Sequence, residues 1–234
     1  MTNSERAHFP WVLTVVTALA LAVLIALGVW QVRRLAWKEG LIAAAEAAAA
    51  KPAAPLVQIL AEGGDLEFRK AVVDCPGLAS APYVELRTIQ DGEPGLRLVS
   101  ACRAAGRTWL VDRGFVLETI SARPPEAVSE IPTRITAEIR AAPPPGPMTP
   151  PAEARMFYGR DNAAMARALD VQGPVEARTL YALTSSNPDW SALKPSAPPV
   201  AFSNNHLGYA LTWFGLAGAL AAVYAAMLRR RRKS

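Results

Sequence analysis

The chain is short of the residues that usually carry chemistry. Its 234 residues include two histidines and two cysteines. No Gly-x-Ser-x-Gly elbow, phosphate loop, dinucleotide fingerprint or paired His/Glu metal motif occurs, so hydrolase, kinase and dehydrogenase readings all lack residues. Cys75 and Cys102 form neither C-x-x-C nor C-x-x-C-H, which removes thioredoxin-like exchange and covalent haem attachment. Acidic residues scatter without isolating an acid/base pair, and a non-enzyme is expected. The net charge of +5 depends on a terminal basic cluster, and nucleic acid is not indicated as a partner.

Charge is also missing from two long runs. Phe9 to Val32 is 24 residues without a charge, and Leu207 to Leu228 is 22. A helix rising about 1.5 Å per residue needs roughly 20 residues to cross a hydrocarbon core of about 30 Å, so both runs are expected to span a membrane. Pro10 falls in the first turn, where proline is tolerated. The first run exceeds the roughly 7 to 15 residues of a signal peptide's apolar region and has no small-x-small cleavage site at its end, which favours an uncleaved anchor. Arg6 before it and Arg33, Arg34 and Lys38 after it leave its orientation unsettled. The second run leads into Arg229-Arg230-Arg231-Arg232-Lys233, and basic residues directly after a span place that end in the cytoplasm.

The expected organisation follows: a cytoplasmic N-terminus (1–8), a transmembrane helix (9–32), an extracytoplasmic β-rich domain (33–205), a second transmembrane helix (206–228) and a basic cytoplasmic tail (229–234). Met1-Thr2-Asn3-Ser4-Glu5-Arg6 is too short and too weakly basic for a mitochondrial transit peptide, which points to a bacterial cytoplasmic membrane with the main domain periplasmic. In an oxidising compartment a disulfide between Cys75 and Cys102 is open; two unpaired core cysteines, packed as small apolar residues, are the favoured expectation.

Between the spans, the first helix is expected to continue into an alanine-rich stretch near Ala50, where Pro52 and Pro55 stop it. Short alternating segments read as strands at 68–74, 83–89, 96–104, 108–117, 134–140 and 179–184, separated by turn signals such as Asp91-Gly92-Glu93-Pro94-Gly95. The fold class expected is α+β: two transmembrane helices flanking a mostly antiparallel β domain, a small barrel or sandwich, with one or two short helices. A proline-rich loop covers 141–151. Asp161 to Asp170 has helical composition, with Asp161 or Asn162 as cap and Met165 and Leu169 on one face. Pro195, Pro198 and Pro199 form a stiff lead into the second span.

What chemistry remains gathers at one end of the spans. His206, Tyr209 and Trp213 lie at i, i+3 and i+7 on one helical face, with Gly208 and Ala210 read as leaving room beside them. On the other helix, Trp30 and Trp37 flank Arg33 and Arg34. Two readings are open. Such residues form interfacial belts that only anchor spans, which residue type alone favours. They also suit a porphyrin, with imidazole for iron, aromatics for the ring and arginine for propionates. His8 is excluded as an opposite axial ligand, because it lies at the other end of the first span, about 30 Å away. Gly218, Ala222 and Ala226 form a small-residue row able to pack against the first span or another protein.

Three stretches then carry a resemblance. Leu27-Gly28-Val29-Trp30-Gln31 with Arg34 and Trp37-Lys38, Leu110-Val111-Asp112-Arg113-Gly114-Phe115-Val116, and Asn205 to Phe214 resemble the Surfeit-locus family of cytochrome c oxidase assembly factors. Phe157-Tyr158-Gly159-Arg160-Asp161 resembles that family's aromatic-x-Arg-Asp segment. Phe115 departs from a usual tryptophan, and Asp74 to Pro82 is abbreviated. The resemblance implies a membrane assembly factor that assists insertion of haem a into oxidase subunit I, with His206 as iron ligand, and with subunit I, haem a synthase and membrane lipid as partners. The competing class is a scaffold that stabilises an early subunit intermediate without any cofactor.

Overall fold

A computed structural model describes residues 9–142, 144–195 and 204–231. Expectations for the N-terminus 1–8 and for Pro143, Pro198, Pro199, Arg232 and Lys233 fall outside the described residues. The chain divides into two units: one holds the first helix to Ala44 together with the last helix, the other is Ala45–Val200.

The first helix, α1, runs Trp11–Ala50 without interruption, as its uncharged run and alanine-rich extension require. The last helix, α4, spans His206–Arg231 and carries Arg229, Arg230 and Arg231 in its final turn. By length and composition both are able to cross a membrane.

In the second unit β1 (Ala54–Pro55) leads into α2 (Leu56–Glu62), whose N-cap is Pro55. The proline read as a stop therefore also starts a helix, since its fixed φ suits a helix entry. Then come β2 (Lys70–Pro76), β3 (Tyr83–Gln90), β4 (Glu93–Ala104), β5 (Arg107–Leu117), β6 (Pro132–Ala141), β7 (Met156–Phe157), α3 (Asn162–Ala168) and β8 (Val175–Ala182). Asp161 is the cap of α3, its carboxylate accepting from Ala164 N at 2.9 Å. The first predicted strand starts later than expected because Phe68 turns through φ 62°. Residues 144–151 carry no helix or strand, in keeping with the proline-rich loop.

All eight strands join one sheet in the order β1-β2-β6-β8-β5-β4-β3-β7, which excludes a two-sheet sandwich. The sheet is mixed: the long hairpins β3/β4 and β4/β5 are antiparallel, while β5 and β8 run parallel. A parallel neighbour needs a long crossover, and the one between β5 and β8 passes through β6, β7 and α3. Sequence alternation marks a strand but not its partner, so this pairing was invisible. β5 is buried along almost its whole length because both faces are covered. On one face Trp109 and Val111 pack with Leu56 and Ile59 of α2; on the other, Leu110 packs with Met165 of α3.

Three strands separate β2 from β4, a spacing of about 19 Å if the sheet were flat at about 4.8 Å per strand. Yet Cys75 of β2 and Cys102 of β4 are disulfide-bonded with Cα atoms 5.5 Å apart, so the sheet coils until these strands face each other across the core. This corrects the expectation of two unpaired cysteines. Both are in the core as expected, 0% and 3% exposed, but the coil brings them together in a way that no sequence spacing reveals. The bond closes a loop with a sequence separation of 27. Replacing both cysteines by alanine is expected to destabilise the β unit by about 3 kcal/mol, and calorimetry of the oxidised chain with and without a reductant gives the same drop in unfolding midpoint.

Candidate functional site

The helical unit is organised by a seam. Along α1, Thr17, Leu21, Leu24, Gly28 and Gln31 are buried or half-buried, and along α4 so are His206, Ala210, Trp213, Ala217, Leu220 and Tyr224. Both lines step alternately by three and four residues, the 3.5-residue repeat of helices that pack side by side with knobs in holes. Three contacts give the direction. Thr14 Oγ1 hydrogen-bonds the Tyr224 hydroxyl, Gly28 lies against the Phe214 ring, and Gln31 meets His206. Ascending numbers on α1 meet descending numbers on α4, so the helices are antiparallel.

Gly28 sets how close they come. A Cβ there would lie 2.6 Å from Phe214 Cε1, well inside contact distance, so the ring rests directly on the α1 backbone. Three residues further on, His206 Nδ1 lies 2.6 Å from Gln31 Oε1. An amide oxygen only accepts, so Nδ1 carries the proton and donates, which leaves Nε2 as the ring nitrogen free to hold a metal. A histidine held in that way has its ring orientation and tautomer fixed for a metal, the arrangement that outer-shell partners impose on ligating imidazoles. Gln31, 8% exposed, is the member of this candidate site that sequence reasoning passed over. It stood inside a quoted motif, but its signal, a polar side chain in step with the apolar seam, needs the partner helix to be read.

The other expected residues divide. Trp213 is half-buried on the seam, two turns along from His206, while Tyr209 flanks it and is 56% exposed. Ala210 is 2% exposed and packs into the seam instead of leaving room for a ligand. Gly208 does leave open space, with nothing within 4 Å of where a Cβ would sit, but two residues past His206 is about 200° round the axis, so that space is not on the His206 side of the helix. Trp30, 55% exposed, and Arg33 and Arg34 lie on the outer flank of α1 beside Gln31, within about one turn of its level. Arg34 stacks 3.8 Å above the Trp37 ring, which steadies the guanidinium while leaving its in-plane N–H groups available to an anion. Gly218, Ala222 and Ala226 are exposed and take no part in the pairing with α1.

Tested against a haem, these residues fit in kind. His206 offers one imidazole nitrogen, aromatic faces stand exposed on both sides of the seam, and two guanidinium groups lie near the same level. No group of three or more His, Cys, Asp or Glu able to hold a bare metal ion occurs among the described residues.

Two helices long and apolar enough to cross a membrane, paired through a seam with a histidine at one end and joined in the chain by a mixed β unit, fit a membrane protein. The chain belongs to the SURF1 family, whose sequence pattern matches residues 18–218. It is 26% identical over 259 residues to Surfeit locus protein 1 of Mus musculus, covering 97% of this chain and 78% of the mouse protein. The family is associated with cytochrome c oxidase assembly. The first and last family-like stretches, far apart in sequence, touch each other at Gly28/Phe214 and Gln31/His206.

Replacing Gly28 by leucine is expected to force the helices apart and destabilise their pairing by about 1 to 3 kcal/mol. In thermal unfolding of the detergent-solubilised chain, adding Phe214→Ala to Gly28→Leu should recover part of that loss; strictly additive effects would rule out the contact.

Proposed function

We propose that this chain is an assembly factor for haem-copper cytochrome c oxidase that holds haem a transiently and assists its insertion into subunit I. The observation that carries the reading is the His206–Gln31 hydrogen bond, which orients the imidazole and leaves Nε2 as the donor atom. Haem, when bound, would supply an iron that this nitrogen of His206 would hold. Gln31 holds the imidazole tautomer, Trp30, Tyr209 and Trp213 offer aromatic surface to a flat macrocycle, and Arg33 and Arg34 neutralise its carboxylates. A single imidazole nitrogen from this chain would hold the group weakly enough for release, which suits delivery to another protein.

The same reading puts α1 and α4 across a bacterial cytoplasmic membrane, the β unit in the periplasm and both termini inside. Arg229, Arg230 and Arg231 in the last turn of α4 support that orientation, and a disulfide in the β unit suits an oxidising compartment. Subunit I and haem a synthase are the partners expected of a haem carrier placed between synthesis and insertion. The exposed aromatic stripe of Trp30 and Trp37 also suits a scaffold that docks on a membrane-embedded subunit without any cofactor.

Purification from cells that make haem a decides between the two. Wild type is expected to carry haem by absorption spectroscopy, His206→Ala to lose it, and Gln31→Ala to retain it about tenfold less tightly. Equal haem in wild type and His206→Ala would remove His206 from the site; no haem in any form, with subunit I still co-purifying, would select the scaffold. A reporter fused after Lys233 should be active in the cytoplasm, and periplasmic activity would invert the topology.

A further inference from the structure

The sheet of the β unit is interrupted between two of its strands. β6 and β8 pair from Ala137/Ala182 to Ala141/Arg178, where their register ends, although β8 itself reaches back through Ala177 and Glu176 to Val175. The residues next in line on the β6 side are Ala142, Pro143 and Pro144, followed by Pro145, and proline has no N–H to give to a ladder. Residues 175–177, about 10 Å of strand at about 3.3 Å each, are therefore left without a strand on that side. A side chain compensates in part: Asn162 Nδ2 donates to Ala177 O at 3.2 Å and to Thr179 Oγ1 at 3.1 Å.

At the interruption lies a recess of about 650 Å³, inside the range of about 300 to 1,000 Å³ typical of ligand sites. It is bordered by Ala142, Pro144 and Pro145 of the departing chain, by residues 175–177 of β8, and by Ala163, Ala166 and Arg167 of α3. Four charged side chains line it, and three of them are engaged. Arg160 donates to Asp112 at 2.5 Å, Asp161 caps α3 through Ala164 N at 2.9 Å, and Glu176 accepts from Arg107 at 2.8 Å. The fourth, Arg167, is exposed in the last turn of α3 and makes no hydrogen bond or ion pair among the described residues. Asp161 sits at the other end of that helix, about 9 Å along its axis.

We propose that this recess takes an extended segment of a partner protein, which adds a strand beside residues 175–177 and sets one acidic side chain on Arg167. Strand addition draws its affinity from main-chain hydrogen bonds and its selectivity from alternate side chains. The small side chains of Ala142, Ala163 and Ala166 leave room for the flanking residues of such a segment, and Asp161 and Glu176 confine its acidic residue to the Arg167 end. The site lies within the β unit and does not depend on whether His206 holds haem.

Fluorescence anisotropy of the full chain in detergent tests this with the labelled, blocked peptide Thr-Val-Glu-Val-Thr. Its controls carry glutamine or lysine in place of the glutamate, or methyl groups on the backbone nitrogens. Saturable binding is expected for the glutamate peptide, at least fivefold tighter than for the glutamine form, and none for the methylated form. Ala163 and Arg167 are both exposed, so Ala163→Trp and Arg167→Glu should fold as the wild type does by circular dichroism. The first should abolish binding, and the second should exchange the preference for glutamate for one for lysine. No saturable binding, a methylated peptide that binds equally well, or a charge preference that Arg167→Glu leaves unchanged would overturn the proposal. Sedimentation of the chain alone should show no dimer that Ala163→Trp dissolves; such a dimer would give the open strand to a second copy instead.

Discussion

Side-by-side packing of two apolar helices depends on how closely their backbones approach, and here one missing side chain governs that approach. Gly28 admits the Phe214 ring, and the 3.5-residue seam running from that contact brings Gln31 onto His206. Within a hydrocarbon layer apolar side chains gain little from each other that lipid would not supply, so association rests on close packing and a few polar contacts. This pair has both. Thr14 and Tyr224 are joined near one end, Gln31 and His206 near the other, and the glycine contact lies between them. The polar pair that orients the imidazole is therefore also part of what holds the helices in register.

The β unit solves a different problem. Its sheet has covered faces on both sides of β5, which calls for apolar residues throughout, yet β5 carries Asp112 and Arg113 in its middle, 0% and 1% exposed. A register shift opposite Leu98 and Val99 accommodates the extra residue, and Gly114, at φ 134°, lets Lys194 O approach where a Cβ would sit at 2.4 Å. Arg113 is satisfied by neutral acceptors, donating to Ala79 O, Ala81 O, Ser100 and Ser186. Burial lowers its pKa to about 10, which still leaves it charged at neutral pH. Asp112 instead answers two arginines. Neighbours in sequence thus sit in opposite electrostatic circumstances, one cation spread over neutral oxygens and one anion shared between cations.

Legibility followed the kind of signal. Uncharged length is a one-dimensional property, and both long helices were read from it, α1 to its end at Ala50. Strands with clear alternation and turn residues, 83–89 and 108–117 among them, lie within the observed β3 and β5. The two-residue strands β1 and β7 carry no period to detect, and α2 was hidden by the proline at its start. At the helical site His206 stood out by rarity, and the family-like motif raised its standing. Gly208 was misplaced because neighbours in sequence lie far apart around a helix.

By itself the sequence determined what depends on counting along the chain: two runs long enough for a bilayer, a strand-rich stretch between them, a family pattern, and a single histidine at the start of the second run. Tertiary structure alone decided what depends on pairing. It joined Cys75 to Cys102 across a coiled sheet, set Gln31 behind His206, and brought Asp112, Arg97 and Arg160 onto one oxygen. The reason is physical. Periodicity and composition report a residue's local environment, whereas a hydrogen bond or disulfide depends on the position of a second group whose distance along the chain bears no relation to its distance in space.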